Sequence, residues 1–193
     1  MSRNLSYSLH VKKMKQASAH KLNNLKPMLK QMKIKTRREV ILTKAGSVMN
    51  YRALLITGET ESVISDYHTG MMRLFRAING EFVFKEPCEQ TCLKAGVKLP
   101  RQILMDTAIK YAHRVMFTHE PKPIFNSIYV PKHPRTCQEI FSSLNANTNR
   151  RKQNIILRLP KLYNKIPNKL KLLNPKAFNK KLRKYNIFDV PIT

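Results

Sequence analysis

The sequence predicts a mainly α-helical protein, with a helical bundle followed by a smaller helical C-terminal region that has at most one or two short strands. Apolar residues recur at steps of three and four, which is the spacing of one face of an α-helix. Hydrophobic residues make up 42% of the 193, too large a share for a chain that is disordered throughout. Residues that start and stop helices stand at the ends of several of these apolar stripes.

The first helix is predicted over about residues 9–33. Its apolar stripe continues past the proline at position 27, so we expect the helix to kink there and not to break. At about 100° per residue, five lysines share one flank of the stripe. These lysines are Lys12, Lys15, Lys26, Lys30 and Lys33. The sequence therefore predicts a buried seam with a basic edge beside it.

The next two helices are predicted from residues that are typical of helix starts and stops. Thr36 and Glu39 have the spacing of a capping box, which predicts a helix that starts at Thr36 and ends at Gly58. Another apolar stripe starts near Thr60, and Gly80 is its stop signal.

The rest of the chain is less regular. Residues 81–99 are interpreted as a connector with a helical turn around 90–95, and Pro100 suits the first turn of the following helix. Residues 118–149 are rich in Pro, Asn, Ser and Thr, which predicts a looped insert with a short helix near 124–129. Residues 154–160 are the best strand candidate, and the Asn-Pro pair at 174–175 predicts the start of a last helix.

Charge is concentrated at the two ends of the chain. The sequence has 37 basic and 11 acidic residues, and residues 1–58 and 150–193 each hold 13 basic residues and one acid. A net charge of +26 repels itself and calls for an anionic partner. We predict a basic helical bundle at 1–80, a helical connector with a Pro/Asn-rich insert at 81–149, and a basic segment at 150–193.

Several function classes are disfavoured by what the sequence lacks. Asp66, Asp106 and Asp189 stand apart, whereas two-metal chemistry needs clustered carboxylates, and no Gly-rich phosphate loop occurs. Cys88 and Cys92 have no further metal ligand nearby, so we interpret them as packed thiols. We therefore expect no cofactor, no metal and no enzyme activity of the chain on its own.

The composition of the chain also bears on the cellular compartment in which the protein is expected. No apolar run approaches the roughly 20 residues of a membrane helix, and three cysteines fit a reducing compartment. A basic helical N-terminus also suits a mitochondrial presequence, so a mitochondrial location stays an alternative to a nuclear or cytoplasmic ribonucleoprotein.

Phosphate is the chemistry that this charge pattern fits, because each Lys or Arg contact releases condensed counterions. Lysine outnumbers arginine, and lysine acts as a point charge, which favours backbone contacts with weak sequence preference. The partner is therefore predicted to be RNA, DNA or a hybrid duplex. The candidate nucleic-acid-binding residues are Lys12, Lys15, Lys26, Lys30, Lys33, Arg37, Arg38, Arg150, Arg151, Lys152 and Arg158.

Five short motifs follow one another in a recognisable order. They are LSYSLHV at 5–11, FRAING at 75–80, YAHR at 111–114, LYNKIP at 162–167 and FNKKL at 178–182. In this order and spacing they resemble the C-terminal part of the reverse transcriptase of non-LTR (LINE-type, jockey-like) retrotransposons, from the end of the palm onward.

The resemblance implies an all-helical thumb that grips a template–primer duplex, followed by a helical C-terminal region. The palm and its catalytic aspartates have no counterpart here, so it implies no polymerase activity for this chain alone. We expect a truncated or domesticated thumb and C-terminal region, with a reverse transcriptase palm or a ribonucleoprotein as a further partner. The alternative is a basic structural subunit of a ribosome or another ribonucleoprotein.

Overall fold

A computed structural model describes residues 7–51, 53–80, 86–128 and 155–182. Within these ranges the protein is mainly α-helical and contains no strand, which confirms the predicted fold class. The chain forms two compact units, Met1–Ile103 and Leu104–Thr193. The three-part division into 1–80, 81–149 and 150–193 stays a prediction.

The first unit is built around one long helix. Its helices are α1 (Ser8–Leu29), α2 (Ile34–Ile41), α3 (Ser47–Asn50), α4 (Ala53–Ile56), α5 (Glu61–Asn79) and α6 (Cys88–Ala95), and a π-helical segment (Leu42–Gly46) joins α2 to α3. Helix α5 packs against α1, α2, α3 and α6. It begins after Thr60 and ends at Gly80, which has a left-handed backbone, as the sequence predicts.

Helix α1 carries the predicted buried seam but is shorter than expected. Val11, Met14 and Leu22 are buried on one face, and the helix runs through Pro27 as predicted. It ends at Leu29, and the next turn closes with tighter three-residue hydrogen bonds to the carbonyls of residues 28 and 29. The expectation of a helix to residue 33 is wrong.

The predicted capping box is also wrong. Helix α2 begins at Ile34, after an extended Lys33, and no side chain caps it. Thr36 is therefore inside the helix, and the turn that precedes α2 sets its start.

The predicted helix from 36 to 58 is divided into parts. Ile41, Ala45 and Met49 are all buried. Residues four apart drift by about 40° per step around a regular α-helix, so a regular helix would carry this stripe away from the core. The π-helical segment, which lies between Ile41 and Met49, corrects the drift, and an extended Tyr51 ends α3.

The second unit begins at Leu104, near the start of α7 (Pro100–Thr118), and so holds most of that helix. It also contains α8 (Lys122–Ile128), α9 (Ile155–Asn164), α10 (Asn168–Lys171) and α11 (Pro175–Leu182). The predicted strand at 154–160 is wrong, because its described residues, 155–160, lie in α9, whose buried Leu159 and Tyr163 are four residues apart. The cap before the last helix is confirmed, since Asn174 Oδ1 accepts a 2.9 Å hydrogen bond from the Ala177 N–H.

Candidate nucleic-acid interface

The first unit has an open groove between α1 and α5, with a volume of about 380 Å³. The two helices run in the same direction. Lys15 on α1 lies beside Asp66 on α5, and further along, Arg37 joins the carbonyl oxygens of Leu29 and Ile78 near the C-terminal ends of both helices.

Four basic side chains line the groove, two from each helix. Lys15 and Lys26 come from α1, and Arg73 and Arg76 come from α5. At 1.5 Å per residue, Lys15 and Lys26 lie about 16 Å apart along the helix axis. The positive charge therefore runs along the length of the groove.

An ion pair marks the N-terminal end of the groove. Lys15 Nζ donates a 2.8 Å hydrogen bond to Asp66 Oδ1, and both side chains are about one-third exposed, at 31% and 30%. Gly70 lies beside this pair at the contact between the helices. A Cβ atom there would be 2.6 Å from Met49 Cε and 2.8 Å from Lys15 Cγ, so a larger residue at this close approach would displace those two side chains.

The floor of the groove is apolar. It is formed by Ala19 and Leu22 on α1 and by Gly70 and Leu74 on α5. Leu22 and Leu74 are each 1% exposed and Arg76 is 8% exposed, so Lys15, Lys26 and Arg73 form the accessible basic rim above this floor. Ser18 also lines the groove, but its hydroxyl donates a 3.1 Å hydrogen bond to the Ala45 carbonyl in the π-helical segment.

Two arginines act on His68 of α5. Burial lowers the pKa of His68, and the charges of Arg101 and Arg76 lower it further. A histidine beside two guanidinium groups protonates less readily, because the new charge would repel theirs.

The structure places the predicted N-terminal lysines in different environments. Lys15 and Lys26 line the groove, and Lys12 is exposed on α1 one turn before Lys15. Lys30 and Lys33 are exposed but follow the end of the helix, so the predicted single flank of five lysines is wrong. Three of the five lie on the same helix.

Arg37 is held by backbone groups of the first unit. Its guanidinium donates hydrogen bonds to three carbonyl oxygens: Leu29 at 3.0 Å, Met32 at 3.1 Å and Ile78 at 3.2 Å. These carbonyls lie at or just after the ends of α1 and α5, where helix dipoles favour a cation. Arg38 makes a similar but weaker contact, 3.3 Å from Nη1 to the carbonyl oxygen of Gly96 after α6.

The basic residues of the C-terminal segment fall elsewhere. Arg150, Arg151 and Lys152 lie outside the described residues. Arg158 belongs to α9, but its side chain is outside the described part of the chain.

Sequence reasoning missed the α5 side of the groove. From the sequence, Arg73 and Arg76 are cations that favour the C-terminal end of a helix, and Asp66 is a surface or capping residue. The spacing of three residues puts both arginines close together on α5, which is a usable signal. The pairing of Asp66 with Lys15, 51 residues away, has no signal in one sequence.

The second unit has a packed cluster around His113. Its ring stacks on Phe178 with centroids 3.8 Å apart, Nε2 donates to the Leu173 carbonyl oxygen at 2.9 Å, and Nδ1 accepts from Tyr163 Oη at 2.9 Å. Burial lowers the pKa of His113, although the bond to Leu173 opposes that shift. The YAHR, LYNKIP and FNKKL motifs thus meet in one core, where the histidine ring is held on both sides.

The two cysteines of α6 differ in exposure. Cys92 is buried, its thiol lies 3.8 Å from Met72 Sδ, and burial raises its pKa to about 11. Cys88 is half-buried on the same helix. Within the described residues, no three His, Cys, Asp or Glu side chains are grouped so that they could hold a metal ion.

Comparison with protein-family models, with curated proteins and with solved structures gave no match. No helix in the described ranges combines the length and the apolar character needed to cross a membrane.

Proposed function

We propose that the first unit binds the phosphodiester backbone of nucleic acid along the groove between α1 and α5. The observation that carries this proposal is the set of three accessible basic side chains, Lys15, Lys26 and Arg73, on the two sides of one open groove, with the buried Arg76 beside them. Cations in a partly enclosed groove attract anions more strongly than cations on an open surface.

Binding would be electrostatic and would depend little on base sequence. Lysine and arginine neutralise phosphates and release counterions, so the affinity falls steeply as salt rises. Phosphate contacts set the position of a protein on nucleic acid but carry no sequence information. Catalysis is not part of the proposal.

We further propose that the chain derives from the thumb and C-terminal region of a non-LTR retrotransposon reverse transcriptase and acts without a palm of its own. The order and spacing of the five motifs support this origin. The packing of the last three motifs around His113 gives them a shared structural role, which is consistent with a common inheritance.

The alternative is a basic structural subunit of a ribosome or another ribonucleoprotein. That role predicts basic ends that fold on RNA. The basic helix α1 buries Val11, Met14 and Leu22 against its own unit, which favours a preformed binding surface.

The proposal is tested by a salt titration of binding to fluorescently labelled RNA, DNA and hybrid duplexes. The groove variant carries Lys15→Ala, Lys26→Ala and Arg73→Ala. We expect weaker binding to all three ligands and a salt slope that is smaller by about 0.9 for each phosphate that the variant no longer neutralises.

A charge-matched control separates the groove from net charge. The control carries Lys13→Ala, Lys21→Ala and Lys35→Ala, three exposed lysines that do not line the groove. It should retain most of the wild-type affinity and slope, and circular dichroism checks that both variants are folded. Equal losses of affinity in the two triple variants would refute the groove as the binding site.

A further inference from the structure

The basic side chains of the groove are not evenly spaced, because three of the four lie at one end. Lys15 contacts Asp66 at the N-terminal end of the groove. At about 1.5 Å per residue, Arg73 lies about 10 Å further along, Arg76 about 15 Å and Lys26 about 16 Å. These three cations, which we call the basic cluster, therefore lie within about 6 Å of one another along the helix axis.

The basic cluster has an accessible part and an enclosed part. Arg73 is exposed and Lys26 is half-buried, whereas Arg76 is only 8% exposed and lines the groove together with the buried Leu22 and Leu74. A charge that is largely shielded from water attracts an anion more strongly than a charge on an open surface, because solvent and salt screen it less. An anion at this end of the groove would therefore meet one shielded cation and two accessible ones.

Arg37 lies just beyond the basic cluster. Its guanidinium lies between the C-terminal ends of α1 and α5, because it donates to the carbonyl oxygens of Leu29 and Ile78. The partial negative charge at both helix ends would repel an anion, and the charge of Arg37 offsets it. A strand that continued along the groove would meet this contact, so the position of the cluster suits a ligand that ends there.

The charge and size of this end fit a phosphate monoester better than a phosphodiester. A phosphodiester carries one negative charge and is linked to the strand on both sides. A terminal phosphate carries close to two negative charges at neutral pH, has three acceptor oxygens and is linked on one side only. The groove volume of about 380 Å³ is near the lower limit for ligand sites, which suits one such group and not a run of nucleotides.

From these observations we propose that the basic cluster binds the terminal phosphate of a nucleic-acid strand, and that the strand leaves the groove past Lys15. The guanidinium of Arg73 can donate two parallel hydrogen bonds to phosphate oxygens, and Lys26 acts as a point charge. This inference rests on the proposed function and deepens it, because it names the part of the nucleic acid that the groove recognises.

The test compares three internally labelled single strands by fluorescence anisotropy at one ionic strength. One strand has a 5′-phosphate and one has a 3′-phosphate. The third has hydroxyl groups at both ends and is two nucleotides longer, so that its total charge is the same. We expect at least one phosphorylated strand to bind about tenfold more tightly than the hydroxyl strand, because one added charge-assisted hydrogen bond contributes about this factor.

Two substitutions with the same loss of charge locate the terminal phosphate. Arg73→Gln removes a cation from the basic cluster, and Lys15→Gln removes one from the other end of the groove. Both should weaken the binding of every strand, because both reduce the charge of the groove. Only Arg73→Gln should also abolish the preference for a phosphorylated end. Circular dichroism checks that both variants are folded.

The two proposals fail in different ways. If the groove variant weakens binding but neither phosphorylated strand binds more tightly than the hydroxyl strand, the terminal-phosphate inference is wrong and backbone binding stands. A preference that survives Arg73→Gln, or that Lys15→Gln abolishes equally, would overturn the assignment to the basic cluster. If inorganic phosphate binds as tightly as the phosphorylated strand, the end of a strand is not the ligand. If the groove variant binds every strand as the wild type does, both proposals are wrong.

Discussion

Replacement of Arg37 by alanine tests the structural interpretation of this residue. The change removes three hydrogen bonds, to the carbonyl oxygens of Leu29, Met32 and Ile78. Hydrogen bonds from a charged donor contribute about 1.5–3 kcal/mol each, although such values are not additive. Because Arg37 is half-buried, water can replace part of this interaction, and we expect the free energy of unfolding to fall by about 2–4 kcal/mol.

The assay is urea unfolding followed by circular dichroism at 222 nm, together with amide hydrogen exchange, which assigns the destabilisation to the first unit. Exchange should accelerate most at the C-terminal ends of α1 and α5. Arg38→Ala is the matched control, since its one bond of 3.3 Å is exposed, and we expect it to cost about 0–1 kcal/mol. Equal costs for the two variants would refute the reasoning.

Gly80 provides an internal check on the same contact. Its φ of +81° disfavours any residue with a Cβ, and a Cβ there would be 2.9 Å from Arg37 Nη1. Gly80→Ala should cost about 1–2 kcal/mol from the left-handed backbone, plus the displacement of Arg37. In the Arg37→Ala background that second part disappears, so the double variant should cost about 1 kcal/mol less than the sum of the two single variants. Strict additivity would show that the guanidinium and Gly80 are not in contact.

Two further predictions concern single side chains. Burial holds the pKa of His113 below its ordinary value of 6.5, so the unfolded chain binds the proton more readily, and the second unit should lose stability as the pH falls below about 6.5. Urea titrations at a series of pH values check this, and His113→Gln, which does not titrate, should remove that part of the pH dependence. Cys137 is the third cysteine of the chain, and its replacement by serine leaves only Cys88 and Cys92 to react. In this Cys137→Ser background, iodoacetamide should modify the half-buried Cys88 first and the buried Cys92 only on unfolding, as mass spectrometry would show. Rapid modification of Cys92 in the folded protein would contradict its placement in the core.

Local signals in the sequence predicted much of the fold. The apolar stripe of α1, the two ends of α5 at Thr60 and Gly80, and the Asn174 cap all follow from rules that involve a few neighbouring residues. Such rules work where local preference and tertiary packing favour the same structure.

The wrong predictions arose where packing decided between local options. Residues 154–160 have a continuous apolar run, which suits either a buried strand or a helix, and burial at four-residue spacing selects the helix. The capping box at Thr36 was a local match that the turn before Ile34 overrode. The π-helical segment depends on contacts that α2 and α3 make with other helices, so their sequence alone could not show it.

The candidate site could be predicted in part. The α1 side of the groove follows from the flank of lysines beside a buried stripe. The α5 side requires knowledge of which helix lies next to α1, and that depends on the close approach at Gly70, between residues far apart in the sequence. The contacts of Arg37 also could not be predicted, because its guanidinium donates hydrogen bonds to three backbone carbonyls that only the fold brings together. Its role in nucleic-acid binding stays a prediction.

The contacts that join α1 to α5 at the two ends of the groove affect how quickly a ligand can bind. Lys15 and Asp66 join α1 to α5 at one end, and Arg37 joins the helices at the other. The groove is therefore formed before a ligand arrives, and little conformational entropy is lost on binding. Association then needs no slow rearrangement, so its rate is set by diffusion and by the long-range attraction of the basic rim.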